Sequence, residues 1–94
     1  MTTAIQKEPL KLYGLRGATT CTTNTAEGIE LAVSELIEEL VSRNQLLTKN
    51  IVSITFSVTA DLDACFPAAI ARRRQGWEGV ALLDCQQMAV IGDL

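Results

Sequence analysis

Arg16 is the side chain whose surroundings most invite chemistry. It stands alone among small neighbours in Leu15-Arg16-Gly17-Ala18-Thr19-Thr20. That leaves room for an anionic ligand, and a guanidinium there can clasp a carboxylate through two parallel hydrogen bonds. The commoner fate of a lone arginine is a structural ion pair or a surface position, and both readings stand at this stage. The only cationic run, Arg72-Arg73-Arg74, reads as a solvated helix face with at most one member turned to a ligand. Asp61 and Asp63 are spaced for paired-carboxylate acid-base work, but hydrogen bonding within a turn, or capping of the next segment, is the ordinary role of such residues and is preferred. With no histidine in the chain, a Ser-His-Asp or Cys-His nucleophile cannot be built from it alone. The glycine spacing gives neither a phosphate loop nor a dinucleotide fingerprint. Cys21, Cys65 and Cys85 lie far apart without CxxC spacing, which argues against zinc.

The elements that position these residues must come from one small domain, because 94 residues fall just below the roughly 100–150 typical of a single core. A chain of this size buries only about 60–65% of the surface exposed on unfolding, so a lone monomer is marginal and oligomerisation is the natural remedy. Hydrophobic residues make up 48% of the chain, more than so small a domain can hide, and some of that surface is expected to meet another subunit. Eleven acidic against eight basic side chains give a net charge of −3, a field that repels nucleic acid. The odd cysteine count and the lack of a long apolar stretch predict a reduced, cytoplasmic setting without membrane association.

Residues 1–9 carry no periodicity and read as a flexible leader to a single domain over 10–94. Leu10 to Leu15 gives a short strand signal that places Arg16 at a strand end, where Gly17 permits a bend or a close backbone approach. Asn24 followed by Glu27 suggests a helix start near Thr25. Ile29, Ala32, Val33, Leu36, Ile37, Leu40 and Val41 then recur at helical spacing. Val52, Ile54, Phe56 and Val58 alternate with polar residues, as in a strand covered on one face by the helix. Pro67 opens a short helix to about Arg74, stopped by Gly76. Val80 to Leu83 reads as a third strand, and Met88 to Ile91 begins another apolar segment. The expected fold is α+β, a mixed sheet with helices on one face whose other face must find cover.

Four blocks taken together, Leu15 to Thr20, Asp61-Leu62-Asp63-Ala64-Cys65-Phe66-Pro67-Ala68, Gly76-Trp77 and Asp84-Cys85-Gln86-Gln87-Met88, resemble chorismate mutases of the AroH class, in order and spacing, from about Leu10 to Leu94. The resemblance implies a homotrimer around a sheet-lined core, with active sites between neighbouring subunits. It implies an isomerase that carries out the Claisen rearrangement of chorismate to prephenate, on the route to phenylalanine and tyrosine, with no covalent intermediate and no cofactor. Such a reaction requires that the dicarboxylate be held in its compact conformer and that charge growing on the ether oxygen be stabilised.

By position in these blocks, the resemblance assigns Arg16 to grip a substrate carboxylate and Phe66 with Ala68 to the apolar wall around the ring, with Arg72 nearby. Leu83, Asp84, Cys85, Gln86 and Gln87 correspond to a second binding strand. Gln87 stands where a glutamate is often found, and its amide can still bond a ring hydroxyl. Asp84 replaces a small or thiol side chain, so its backbone rather than its carboxylate is expected to face the ligand. Arg16 and Gln87 are thus the expected catalytic residues, with no metal. The family's arginine for the ether oxygen follows beyond the position equivalent to Leu94, which implies a domain cut short at that end and a 94-residue form of weak or no activity. The alternative of another class is a non-catalytic trimeric module that binds a small carboxylate metabolite through Arg16.

Overall fold

The helix expected near Thr25 forms as α1, Ala26–Asn44, in a computed structural model that describes residues 12–92. Its N-cap is Thr25, whose hydroxyl accepts from the Gly28 backbone N–H at 2.9 Å. Asn24, the residue expected there, is engaged elsewhere. The helix buries Ile29, Val33 and Ile37 on one stripe, as their four-residue spacing dictates. It ends where Gln45 turns left-handed at φ 52° and returns its N–H to the Val41 carbonyl.

A single 3-10 turn, Thr48–Asn50, leads into β1, Ser53–Val58. Helix α2, Pro67–Arg72, follows with proline in its first turn; it stops two residues short of expectation, and Gly76 turns the chain at φ +86° only after a further loop. Strand β2, Ala81–Gln86, pairs parallel with β1, with Ile54 opposite Leu82, Phe56 opposite Asp84 and Ser57 opposite Cys85. It runs three residues beyond the expected Leu83. Parallel neighbours need a crossover, and α2 supplies it. The α+β class is as expected. The described strands are parallel, and the antiparallel member of a mixed sheet is not among the described residues.

Alternation decides the faces of this sheet. Ile54, Phe56 and Leu82 turn toward a core that joins the α1 stripe to Ile70, Ala71, Trp77 and Val80. Ser53, Thr55, Ser57, Leu83 and Cys85 lie on the opposite, exposed face, with Leu83 60% exposed. The strand expected over Leu10 to Leu15 is not seen. Leu12 to Leu15 are exposed and outside any ladder, while Leu10, Lys11 and the 1–9 leader lie outside the described residues. The physical reason is that a strand exists only where its N–H and C=O groups are paired, and no described segment pairs with this one. Met88 to Ile91 likewise continue without strand pairing.

Gly28 shows how tightly the start of α1 is built. A Cβ there would collide with Thr23 Oγ1 and lie 2.6 Å from the Thr23 carbonyl oxygen, a backbone atom with little room to move. Gly28→Ala gains about 1 kcal/mol of helix propensity but disturbs the Thr25 cap and forces the backbone apart, costs of about 1–3 kcal/mol. The expected outcome in urea unfolding is a net loss of stability; a variant as stable as the parent refutes this close approach.

Candidate functional site

Arg16 sits in an exposed extended segment that is pinned immediately after it. A Cβ at Gly17 would lie 2.9 Å from Leu36 Cδ1 and 3.3 Å from Leu40 Cδ2, so the backbone passes close against the leucine side chains of α1, the kind of close approach expected from sequence. Arg16 lines an open groove of about 760 Å³ with Glu35, Glu39, Arg43 and Asn44 of α1. Among the described residues its guanidinium makes no ion pair; the nearby Arg43 is already held by Glu39 at 2.6 Å.

A second cleft of about 320 Å³ lies on the other side of the 17–19 segment. It is lined by four consecutive residues of β1, Thr55 to Val58, and therefore runs along the edge of β1 that β2 does not cover. Ile29 and Val33 form one wall, and Gln87 closes one end. The Gln87 backbone N–H donates to the Val58 carbonyl at 2.7 Å, extending the ladder one residue past β2. This fixes Gln87 at the carboxyl end of both strands, where open parallel sheets ordinarily place their ligands.

Phe66 and Ala68 lie at the start of α2, beside β2. Asp84 accepts a hydrogen bond from the Ala68 N–H at 3.0 Å, so a carboxylate from β2 satisfies one of the donors left open at the start of α2, whose own N-cap Phe66 offers no side-chain acceptor. The Asp84 carboxylate thus ties β2 to the start of α2, and its backbone lies in the strand. Phe66 stands just before this junction, 72% exposed. Leu83 and Cys85 emerge on the open face, and Gln86 is exposed at the end of β2.

Arg72 is engaged within the fold. Its Nη1 donates to the carbonyls of Glu78 at 2.7 Å and Val80 at 2.9 Å, tying α2 to the chain entering β2. Arg74 is equally structural, bonded to Glu38 of α1 at 2.7 Å and lying 5.2 Å from the centre of the Trp77 ring. The arginine run is therefore not simply a solvated face. Burial pushes the Cys65 thiol above its ordinary value, opposed by the neighbouring Arg73, which keeps it a neutral, weakly nucleophilic group. Among the described residues no cluster of His, Cys, Asp and Glu could hold a metal ion, and no helix is long and apolar enough to cross a membrane.

Sequence reasoning missed Asn24. Its Oδ1 accepts from the backbone N–H groups of Asp63 and Ala64, both at 3.0 Å, and its Nδ2 donates to Asp63 Oδ1 at 2.6 Å. An Asx residue before a helix signals a local cap, and nothing local points to partners 39 and 40 residues away. Asp63 is accordingly a structural acceptor, in line with the preferred reading, though its donor is a side chain rather than a turn amide.

One chain thus holds two groups of candidate residues. Leu83 to Gln87 follow β2 to its carboxyl end, with Ala68 tied to Asp84 beside it and Phe66 just before α2, while Arg16 faces the groove on the far side of the 17–19 segment.

Known proteins give this arrangement its context. A model of the family described as chorismate mutase type I matches residues 12–94. "Chorismate mutase AroH" of Bacillus subtilis (strain 168) is 35% identical over 85 residues, which cover 90% of this chain and 67% of that protein. "Chorismate mutase AroH" of Thermus thermophilus is 35% identical over 82 residues, covering 86% of this chain and 66% of that protein. The chain therefore spans about two thirds of the length of these relatives. Among solved structures, "Chorismate mutase from Clostridium thermocellum Cth-682" superposes with a TM-score of 0.73 at 42% identity, over 81% of this chain and 67% of that one. A family match over all but the first residues, relatives above 30% identity and a shared fold agree with one another: the chain belongs to the chorismate mutase type I family.

Proposed function

We propose that the chain performs the reaction its relatives are named for, the rearrangement of chorismate to prephenate, as a homotrimer whose sites form between neighbouring subunits. The observation that carries the reading is the division of the candidate residues: Arg16 lines the groove on one side of the 17–19 segment, and Gln87, at the end of the cluster carried by β2, lines the cleft on the other. A second copy presenting its Arg16 to this chain's cluster completes a site that one copy leaves in two halves. The exposed Leu83, Met88 and Ile91 supply apolar surface for such an assembly.

In this reading the Arg16 guanidinium takes a substrate carboxylate in a paired hydrogen bond. Phe66 and Ala68 close an apolar wall on the ring, and the backbone of Leu83 to Gln86 lines the opposite side. The Gln87 amide bonds the ring hydroxyl without adding charge beside a dianion. The work is to gather the two reacting carbons into one compact conformer; effective molarities of well-oriented reactions show that positioning alone can supply several kcal/mol. No cofactor enters the mechanism, and the setting is cytoplasmic.

The test is the decay of chorismate absorbance, run beside calorimetric titration with a bicyclic transition-state analogue on the same sample. Turnover with analogue binding is the expected result. Binding without turnover converts the reading to a metabolite-binding module, and neither property overturns it.

A further inference from the structure

We propose that Asn24 is a positioning residue for the reaction, holding the loop that presents Phe66 to the substrate; the proposal rests on the function argued above. Phe66 is a large aromatic side chain left 72% exposed, yet the backbone on both sides of it is fixed. Three residues earlier in the chain, Asp63 is gripped by Asn24 through both its backbone N–H and its carboxylate, and Ala64 through its N–H. Immediately after it, Pro67 is buried and the Ala68 N–H is bonded to Asp84. A loop that only connected β1 to α2 would need neither tie, since exposed connections satisfy their amides with water.

The chemistry of the clasp is complete at both ends. Two backbone donors require an oxygen, and the Asp63 carboxylate requires a donor, so the network fixes which end of the amide is which. Asn24 belongs to the segment that continues from Arg16 through Gly17 and Cys21 into α1. The clasp therefore links the strand-like arm bearing the carboxylate-binding cation to the loop bearing the aromatic wall. Because the clasp is solvent-exposed, it contributes little to global stability; its consequence is the register of Phe66.

Four variants test this in the full chain: Asn24→Ala, Asn24→Asp, Asp63→Asn and the exchanged pair Asn24→Asp with Asp63→Asn. Asn24→Asp keeps the acceptor for both backbone amides but sets two carboxylates against each other, whereas the exchanged pair restores a donor facing an acceptor with the polarity reversed. Asn24→Ala and Asn24→Asp are each expected to lower kcat/KM for chorismate, and affinity for the bicyclic analogue, about tenfold at a temperature where circular dichroism shows them folded. The exchanged pair is expected to return to within about threefold of the parent, and Asp63→Asn to stay there, since an amide oxygen still accepts from Asn24. Hydrogen exchange at the Asp63 and Ala64 amides should be slow in the parent and the exchanged pair and fast in Asn24→Ala.

A folded Asn24→Ala with the parent's kcat/KM overturns the proposal alone, as does an exchanged pair that recovers exchange protection but no activity. A parent that neither consumes chorismate nor binds the analogue overturns the functional reading, and the positioning role with it.

Discussion

Arg16→Ala is expected to lower kcat/KM for chorismate by about a hundredfold or more while leaving the fold unchanged. Truncating one partner of a desolvated, hydrogen-bonded charge pair costs roughly 2–5 kcal/mol, because the substrate carboxylate is then left buried without its cation. Stability should hardly respond: Arg16 is exposed and, among the described residues, makes no ion pair, and such surface changes stay within about 0.5 kcal/mol. Arg16→Lys separates charge from geometry. An ammonium keeps the charge but loses the planar fork that grips two oxygens at once, so it should recover only part of the loss and remain at least about tenfold below the parent. Steady-state kinetics with analogue titration checks both variants. Arg16→Ala within threefold of the parent, or Arg16→Lys equal to it, removes Arg16 from the site.

Local chemistry made part of this protein legible from its residues. The stripe of Ile29, Val33 and Ile37, the alternation around Phe56 and the proline before α2 each state an element through its own periodicity or backbone restriction. Gly17 was readable as a close approach, and its partners on α1 confirm the kind of constraint, though nothing in the sequence named Leu36 and Leu40. What stayed hidden is polar and without a period. Asp84 capping Ala68, Asn24 gripping Asp63 and Arg72 bonding two carbonyls all join residues with no shared period. The expected first strand does not form over the described Leu12 to Leu15 for a related reason, since a pattern of side chains states which face is apolar but not whether a ladder is available to pair.

Arginine positions show the same division between types and partners. A run of three invited a single explanation, a solvated helix face, yet each member meets a different environment: Arg72 the carbonyls before β2, Arg73 the C-cap of α2, Arg74 the ring of Trp77 and a carboxylate of α1. Arg16 lines a groove and, among the described residues, makes no ion pair, and that is a physical reason to place substrate there.

Trp77→Ala is expected to be the most damaging core substitution, with a loss of about 3–5 kcal/mol. Trp77 is 4% exposed and fills the space between the end of α2 and the entry to β2, in one cluster with Ile70, Ala71 and Val80. Its ring also carries the Arg74 guanidinium, which reaches Glu38 on α1, so removal leaves both a cavity and a cation without its aromatic face. Arg74 Nε is already buried with no hydrogen-bond partner among the described residues, and that group tolerates further loss poorly. Domains this small hold only about 5–10 kcal/mol in total. The substitution should therefore lower the thermal midpoint by about 12–40 °C, at roughly 4–8 °C per kcal/mol. Trp77→Phe keeps most of the apolar volume and an aromatic face for Arg74, and should lose less than half as much. Since the loop from α2 to β2 fixes the strand that carries Leu83 to Gln87, the same variant should lose analogue binding before it unfolds globally. Thermal melts read by far-ultraviolet circular dichroism, with analogue titration at a temperature below the transition, decide the matter: a Trp77→Ala variant within 1 kcal/mol of the parent would show that this ring is not what holds β2 in place.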